Sequence, residues 1–450
     1  MSTKAIYCLL WTIGATLGGF VPASAASTPE ALARSAVSGN PSESAAAIAQ
    51  LRSMGPKGLD LLLQVYGDQI GRLSGETPGL RASDPEWRQL TATLDAVSQQ
   101  RDSYASRLYW YTDIEQAKTA ARATGKPILS LRLLGNLTDE FSCANSRFFR
   151  STLYANTAVS QFLRENFILH WKSVRPAPRV TIDFGDGRKL ERTVTGNSIH
   201  YVLDSDGRPI DAIPGLYGPA AFLKVLTQAL GAFRSIAPAG AGREAGLRAY
   251  HQSAKEAAAA QFKADIRRSG AGLKPESNAG ENLAGLGFPD AVRAAPLAVS
   301  KSVVEIKTVK SISETGKPQA PTTPDGDLAE WEKIAALHTA DATLDASSIA
   351  LISSQYTSID AHDARMLRTL KNLEHYIAVD SVRNEYLLHA RLHEWFLGGA
   401  LGQDIEALNE KVYTFLFLTP GSDPWLGLVS PDAYTGLVDD GITGGPKTRE

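Results

Sequence analysis

Trp110-Tyr111-Thr112-Asp113-Ile114-Glu115-Gln116-Ala117, then Gly125-Lys126-Pro127, then Ile128-Leu129-Ser130-Leu131-Arg132-Leu133 is the stretch that decides the fold of this 450-residue chain. Its hydrophobic period changes within it. A helix is expected over residues 114–123, and Gly125-Lys126-Pro127 ends that helix. The unbroken apolar run from Ile128 predicts a buried strand, and Leu108-Tyr109-Trp110-Tyr111 reads as another strand ahead of the helix. Working outward, a helix is expected over residues 144–165 and a strand over 167–171. Gly185-Asp186-Gly187 is a hairpin signal. A second hairpin joins Ile199-His200-Tyr201-Val202-Leu203 to Pro209-Ile210-Asp211-Ala212-Ile213 across Asp204-Ser205-Asp206-Gly207, and a helix over 219–230 closes the unit. Strands alternating with helices and ending in a hairpin plus helix describe an α/β three-layer domain over residues 107–232.

In this order, the landmarks resemble the thioredoxin-like superfamily, in the secreted type that opens with a Trp-containing strand and a helix of the form "A…A…GKP". In that family the following strand delivers a Cys-x-x-Cys to the start of a helix. Alignment on Asn156-Thr157-Ala158-Val159-Ser160-Gln161-Phe162-Leu163 puts Cys143 on the first cysteine and Ser146 on the second, giving Cys143-Ala144-Asn145-Ser146. Gly196 to Gly207 resembles the family's strand with its "D-x-D-G" turn, and Gly215-Leu216-Tyr217-Gly218-Pro219 its helix entry. There are departures. Ser198 stands where the family has a cis-proline, the loop 134–142 is longer, and the hairpin 180–194 replaces a helix.

The resemblance implies a site made of Cys143, Ser146, Arg147 and Ser198, with the strand residue His200 nearby. A thiol at a helix start is favoured as thiolate by unpaired N–H groups and the helix dipole, and Arg147 would add to this. Ser146 cannot resolve a mixed disulfide. The implied chemistry is therefore single-cysteine thiol redox or disulfide exchange, as a monothiol oxidoreductase or isomerase. Its partners would be protein thiols, disulfides or another exported protein, and no cofactor is implied. The competing reading makes Cys143 a small buried residue in a non-catalytic thioredoxin-fold interaction module.

The ends set the context. Residues 1–25 read as a signal peptide, with Lys4 before an apolar run and Ala23-Ser24-Ala25 as cleavage site, so a bacterial periplasmic or secreted location is expected. No other stretch approaches the roughly 20 apolar residues a membrane span needs. Loss of Cys8 with the signal leaves Cys143 as the remaining cysteine, which rules out an intrachain disulfide in the processed chain. With 46 basic against 48 acidic side chains there is no electrostatic footprint for nucleic acid. Residues 26–106 read as a helical leader with a HEAT-like pair of helices around Gly55-Pro56 and a long helix over 84–106. Residues 233–327 form an Ala/Gly/Pro-rich linker containing one helix, and 328–450 a separate helical domain with an irregular tail from Thr419.

A second set of chemistry-bearing residues lies in that C-terminal part. Glu385, His389 and His393 follow one another at spacings of four in a helix expected over 360–396, which places them on one face. Two imidazoles so arranged can hold Zn²⁺ or another divalent ion. The Glu that a zinc peptidase carries after its first histidine is missing, and Glu394 follows the second instead. The competing reading is a solvated or hydrogen-bonded helix face alongside Asp380, Arg383 and Glu385.

Overall fold

The computed structural model describes residues 28–75, 81, 83–194, 197–236, 240–273, 299–301, 325–356, 363–419, 421 and 437. The expected signal peptide, much of the linker and most of the tail beyond Thr419 lie outside the described residues.

The leader is helical: α1 (Pro29–Ala36), α2 (Pro41–Ser53), α3 (Pro56–Val65) and α4 (Gly67–Ser74), then α5 (Pro85–Ser98) and α6 (Ser103–Ser106). Thr28, Asn40 and Asp84 cap their helices just ahead of a proline at the first helical position, where the missing N–H costs nothing. The single helix expected over 84–106 is corrected to two. Gln99 and Asp102 adopt left-handed backbone, and the Asp95 carboxylate takes the freed N–H groups of Asp102 and Ser103 at 3.1 and 2.9 Å. These helices have their own apolar core around Leu51, Leu59, Leu62, Leu90 and Leu94.

The α/β part follows with α7 (Ile114–Thr124), β1 (Ile128–Leu134), α8 (Ala144–Phe148), α9 (Thr157–Asn166), β2 (Ile168–Arg175), the hairpin β3 (Arg179–Asp183) and β4 (Lys189–Thr193), then β5 (Ile199–Leu203), β6 (Pro209–Pro214) and α10 (Pro219–Ser235). The main sheet has strand order β2-β1-β5-β6, with β1 parallel to β2 and antiparallel to β5, and β3-β4 is a separate two-stranded sheet. Leu108–Tyr111 is not a strand. Tyr111 alone bridges to His170, because the Trp110 N–H turns back to the Ser98 carbonyl. The helix expected over 144–165 is broken too: α8 runs into a π-turn (Phe149–Tyr154), and Asn156 then caps α9 through the Val159 N–H.

Beyond the sheet come α11 (Ala241–Ser269), α12 (Asp325–Ala335), α13 (Ala346–Ser354), α14 (Ala364–Arg383), a second π-turn (Asn384–His389), α15 (Ala390–Leu397) and α16 (Ile405–Lys411). The apolar core does not stop at residue 232. Leu131, Val202 and Phe222 belong to the same buried cluster as Ile377, Leu392, Phe396 and Tyr413, and burying each such side chain contributes about 1.5–3 kcal/mol. Glycine makes the closest approach possible. Gly215 has φ +74°, and a Cβ there would lie 2.6 Å from the Asn384 amide nitrogen, which instead donates to the Leu216 carbonyl at 2.7 Å. The Gly218 N–H donates to Ser381 at 2.8 Å, so the end of β6 is pinned against α14 and its π-turn. Among the described residues no helix is long and apolar enough to cross a membrane.

Candidate metal centre

The structure brings together three of the four thiol-site residues expected from sequence. Cys143 is the N-cap of α8, and its Sγ lies 3.1 Å from the Ser198 hydroxyl and 3.5 Å from that of Ser146. Its surroundings differ from those of an accessible thiol, because Cys143, Ser146 and Ser198 are all fully buried and Cys143 belongs to the main core. Arg147 turns aside, donating to the Thr193 hydroxyl at 2.8 Å. His200 is occupied by the Tyr154 hydroxyl at 2.7 Å, and burial pulls its pKa down to about 3, so it is neutral. Cys143, Ser146 and Ser198 thus hydrogen-bond to one another, while the buried His200 Nδ1 has no hydrogen-bond partner among the described residues.

The second candidate gains residues. On the helix face that carries Glu385, His389 and His393 both histidines are buried against β6 and hydrogen-bonded, so of the competing reading the solvated form is excluded for them and the hydrogen-bonded form holds. There Asp211, fully buried, accepts from His389 Nε2 through Oδ1 at 3.1 Å. The other His389 nitrogen, Nδ1, donates to Glu385 Oε2 at 3.1 Å. His393 Nδ1 lies 4.0 Å from Asp211 Oδ1 and 2.9 Å from His251 Nδ1 on α11. Tyr250 donates to Asp211 Oδ2 at 2.6 Å, and Tyr217 to Glu385 Oε2 at 3.3 Å. Glu385 and His389 sit in the π-turn, an irregularity found often at functional positions because it re-aims side chains.

Electrostatics separates the histidines. Burial pulls the His389 imidazolium down, but the facing carboxylates of Asp211 and Glu385 outweigh it and raise its pKa to about 10. Burial pushes Asp211 and Glu385 up, and the charged His389 more than reverses this, leaving both below the usual carboxylate range. Burial, followed by the His389 charge, takes His393 down to about 3. His251 falls to about 4 for the same first reason.

The donor atoms of Asp211, His389 and His393 lie within 4.8 Å of one another. A tetrahedral ion with bonds of about 2.0–2.2 Å needs donor separations of about 3.3–3.6 Å; Asp211 lies 3.1 Å from His389 and 4.0 Å from His393, each within 1 Å of that range, and the third separation falls within 4.8 Å. A cavity of about 350 Å³ between α10, α11 and α14 reaches this centre, with Tyr217, Tyr250, Glu385 and His393 on its wall. Sequence reasoning missed Asp211, His251 and the two tyrosines. The one available signal was a carboxylate in the otherwise apolar run Pro209-Ile210-Asp211-Ala212-Ile213. No protein-family model, no curated protein and no solved structure matches this chain.

Proposed function

We propose that this chain is an exported metal-binding protein, built on a thioredoxin-like scaffold, that holds one divalent transition-metal ion between Asp211, His389 and His393. The observation that carries the reading is the convergence of these three buried donors from β6 and from the helix that crosses it. Two imidazoles and one carboxylate suit zinc and its neighbours among the divalent first-row metals. Glu385 fits the outer position, hydrogen-bonded to the far nitrogen of a ligating histidine and fixing its orientation. Charge supports the same reading. Two carboxylates, Asp211 fully buried and Glu385 partly exposed, face one imidazolium and leave one negative charge uncompensated, and a divalent ion that displaces the imidazolium proton restores neutrality. The scaffold assignment rests on the order of landmarks, a parallel β1-β2 crossover followed by the β5-β6 hairpin and α10. In this reading Cys143, Ser146 and Ser198 pack the scaffold.

The test is elemental analysis of untagged protein after loading with Zn²⁺ and removal of excess. About one equivalent is expected for the wild type and none for His389→Ala/His393→Ala, with circular dichroism reporting that the variant is folded. Equal zinc in the two proteins overturns the reading.

A further inference from the structure

We infer that the centre is of the catalytic type: a small oxygen-donor anion, of the carboxylate or hydroxamate class, enters through the cavity beside α11 and takes a coordination position that the protein leaves open. The inference rests on the proposed metal site and adds what that site does.

Donor count is the first argument. A closed structural site presents four protein donors, whereas a catalytic one presents three and leaves a position for water or substrate. Here the three are Asp211, His389 and His393. The second Asp211 oxygen accepts from Tyr250, so this carboxylate offers one oxygen to an ion. Glu385 Oε2 is engaged by His389 and Tyr217. His251 packs flat on Phe396 at 4.5 Å between ring centroids and meets the centre only through His393, Nδ1 to Nδ1 at 2.9 Å, so it serves as a neighbour of a ligand and is not one of the three converging donors.

Access is the second argument. An ion buried on all sides exchanges no ligand, but His393 lies on the wall of the cavity, and Glu385 keeps 29 % of its side chain exposed. Small side chains make the room. Ala254 stands one helical turn beyond Tyr250 on the same face of α11, and Ala257 and Ala258 continue that wall. At about 350 Å³ the space falls at the small end of ligand pockets, enough for a compact molecule with an apolar body. Its wall is mixed: the exposed Lys224 ammonium and the Gln228 amide can meet an anionic oxygen head, the Glu385 and Asp341 carboxylates stand on the same wall, and the Tyr217 and Tyr250 hydroxyls are held by Glu385 and Asp211, so the attraction for an anion comes from the ion itself. Binding releases the water the ion would otherwise hold, so the exchange is of one oxygen donor for another.

The experiment uses full-length protein loaded with Co²⁺, whose visible absorption reports coordination, titrated with acetohydroxamate. The expected result is a saturable change in the cobalt bands with one equivalent of metal bound. Ala254→Leu, which fills the cavity without touching a ligand, should bind cobalt as the wild type does and raise the half-saturation concentration of acetohydroxamate by about tenfold or more. Cobalt bound with a spectrum that acetohydroxamate leaves unchanged overturns this inference and leaves the metal site standing. A response in Ala254→Leu equal to wild type overturns the route through the cavity. Failure to bind cobalt at all overturns the proposed function itself.

Discussion

Two buried polar clusters sit on neighbouring strands of one sheet. At the start of β5, Cys143, Ser146 and Ser198 form a neutral group, each polar atom matched by another within 3.5 Å. On β6, paired to β5 through Val202 and Asp211, the cluster around Asp211 contains two carboxylates, an imidazolium and two neutral histidines. The first is closed on every side, while the second opens on a cavity. Burial acts on them differently. Neutral groups that satisfy one another lose little on leaving water, whereas ions need partners of opposite charge and punish the loss of any one of them. A cluster of the second kind is hard to account for by packing alone.

The largest effect expected from this contrast is at Asp211. Asp211→Ala leaves the His389 charge with Glu385 alone and should cost about 3–5 kcal/mol, read as a shift of the urea midpoint in metal-free protein. It should also abolish the one equivalent of zinc. A loss below about 1 kcal/mol would put the two clusters on the same footing and remove the electrostatic argument for the centre.

Next comes pH, where a third buried carboxyl provides the control. Asp380, on α14 just before the π-turn, accepts from the Val299 and Ser300 backbone N–H groups but faces no imidazolium, and burial pushes it up to about 6. A carboxyl raised in the folded state contributes stability that is fully present below its unfolded pKa and is lost as pH rises through about 6. Asp211 and Glu385, held low, act in the opposite sense and lose their contribution as the solution is acidified. Asp380→Asn should therefore remove a decline of up to about 1.4 kcal/mol per pH unit between pH ~4 and ~6, seen by comparing denaturation midpoints of variant and wild type across that window. Parallel pH profiles would show that Asp380 ionises normally in the folded chain.

How much of this was legible in sequence follows from the range of the interactions. Strands β1, β5 and β6 and the positions of Cys143, Ser146 and Ser198 were readable because periodicity, turns and the order of landmarks are local or nearly so. Glu385, His389 and His393 were readable because a spacing of four marks one helix face. Their burial was not, since it depends on Asp211, 178 residues away from His389 on a strand, and on His251 in an Ala-rich helix with no clear apolar stripe. The breaks at Gln99 and Tyr154 escaped for a different reason. No glycine or proline marks either one, and the side chains that hold the new caps, Asp95 and Asn156, lie within the expected helices and read equally well as helix residues.

A smaller effect is expected one layer out from the ion. Glu385→Gln keeps the size of the side chain and a hydrogen bond to His389 but removes the charge that orients the ligand. Zinc affinity should fall about 10–100-fold by competition with a chromophoric chelator, against complete loss in Asp211→Ala. Complete loss in both would make Glu385 a ligand, and no change in Glu385→Gln would detach it from the centre.

The smallest effect belongs to Cys143, and it tests the quiet half of the comparison. The thiol contributes one sulfur atom to the core and weak hydrogen bonds to two hydroxyls, so Cys143→Ala should cost only about 1 kcal/mol, the scale of one deleted methylene with a small residual cavity. In protein lacking residues 1–25, and so Cys8, the thiol should resist an aromatic disulfide reagent while folded, and one equivalent should react after unfolding in urea. Zinc binding should be the same in Cys143→Ala as in wild type, because the neutral cluster shares no hydrogen bond with the charged one. Rapid labelling in the native state would reverse the contrast, since a thiol at a helix start that reaches solvent is placed to attack a disulfide.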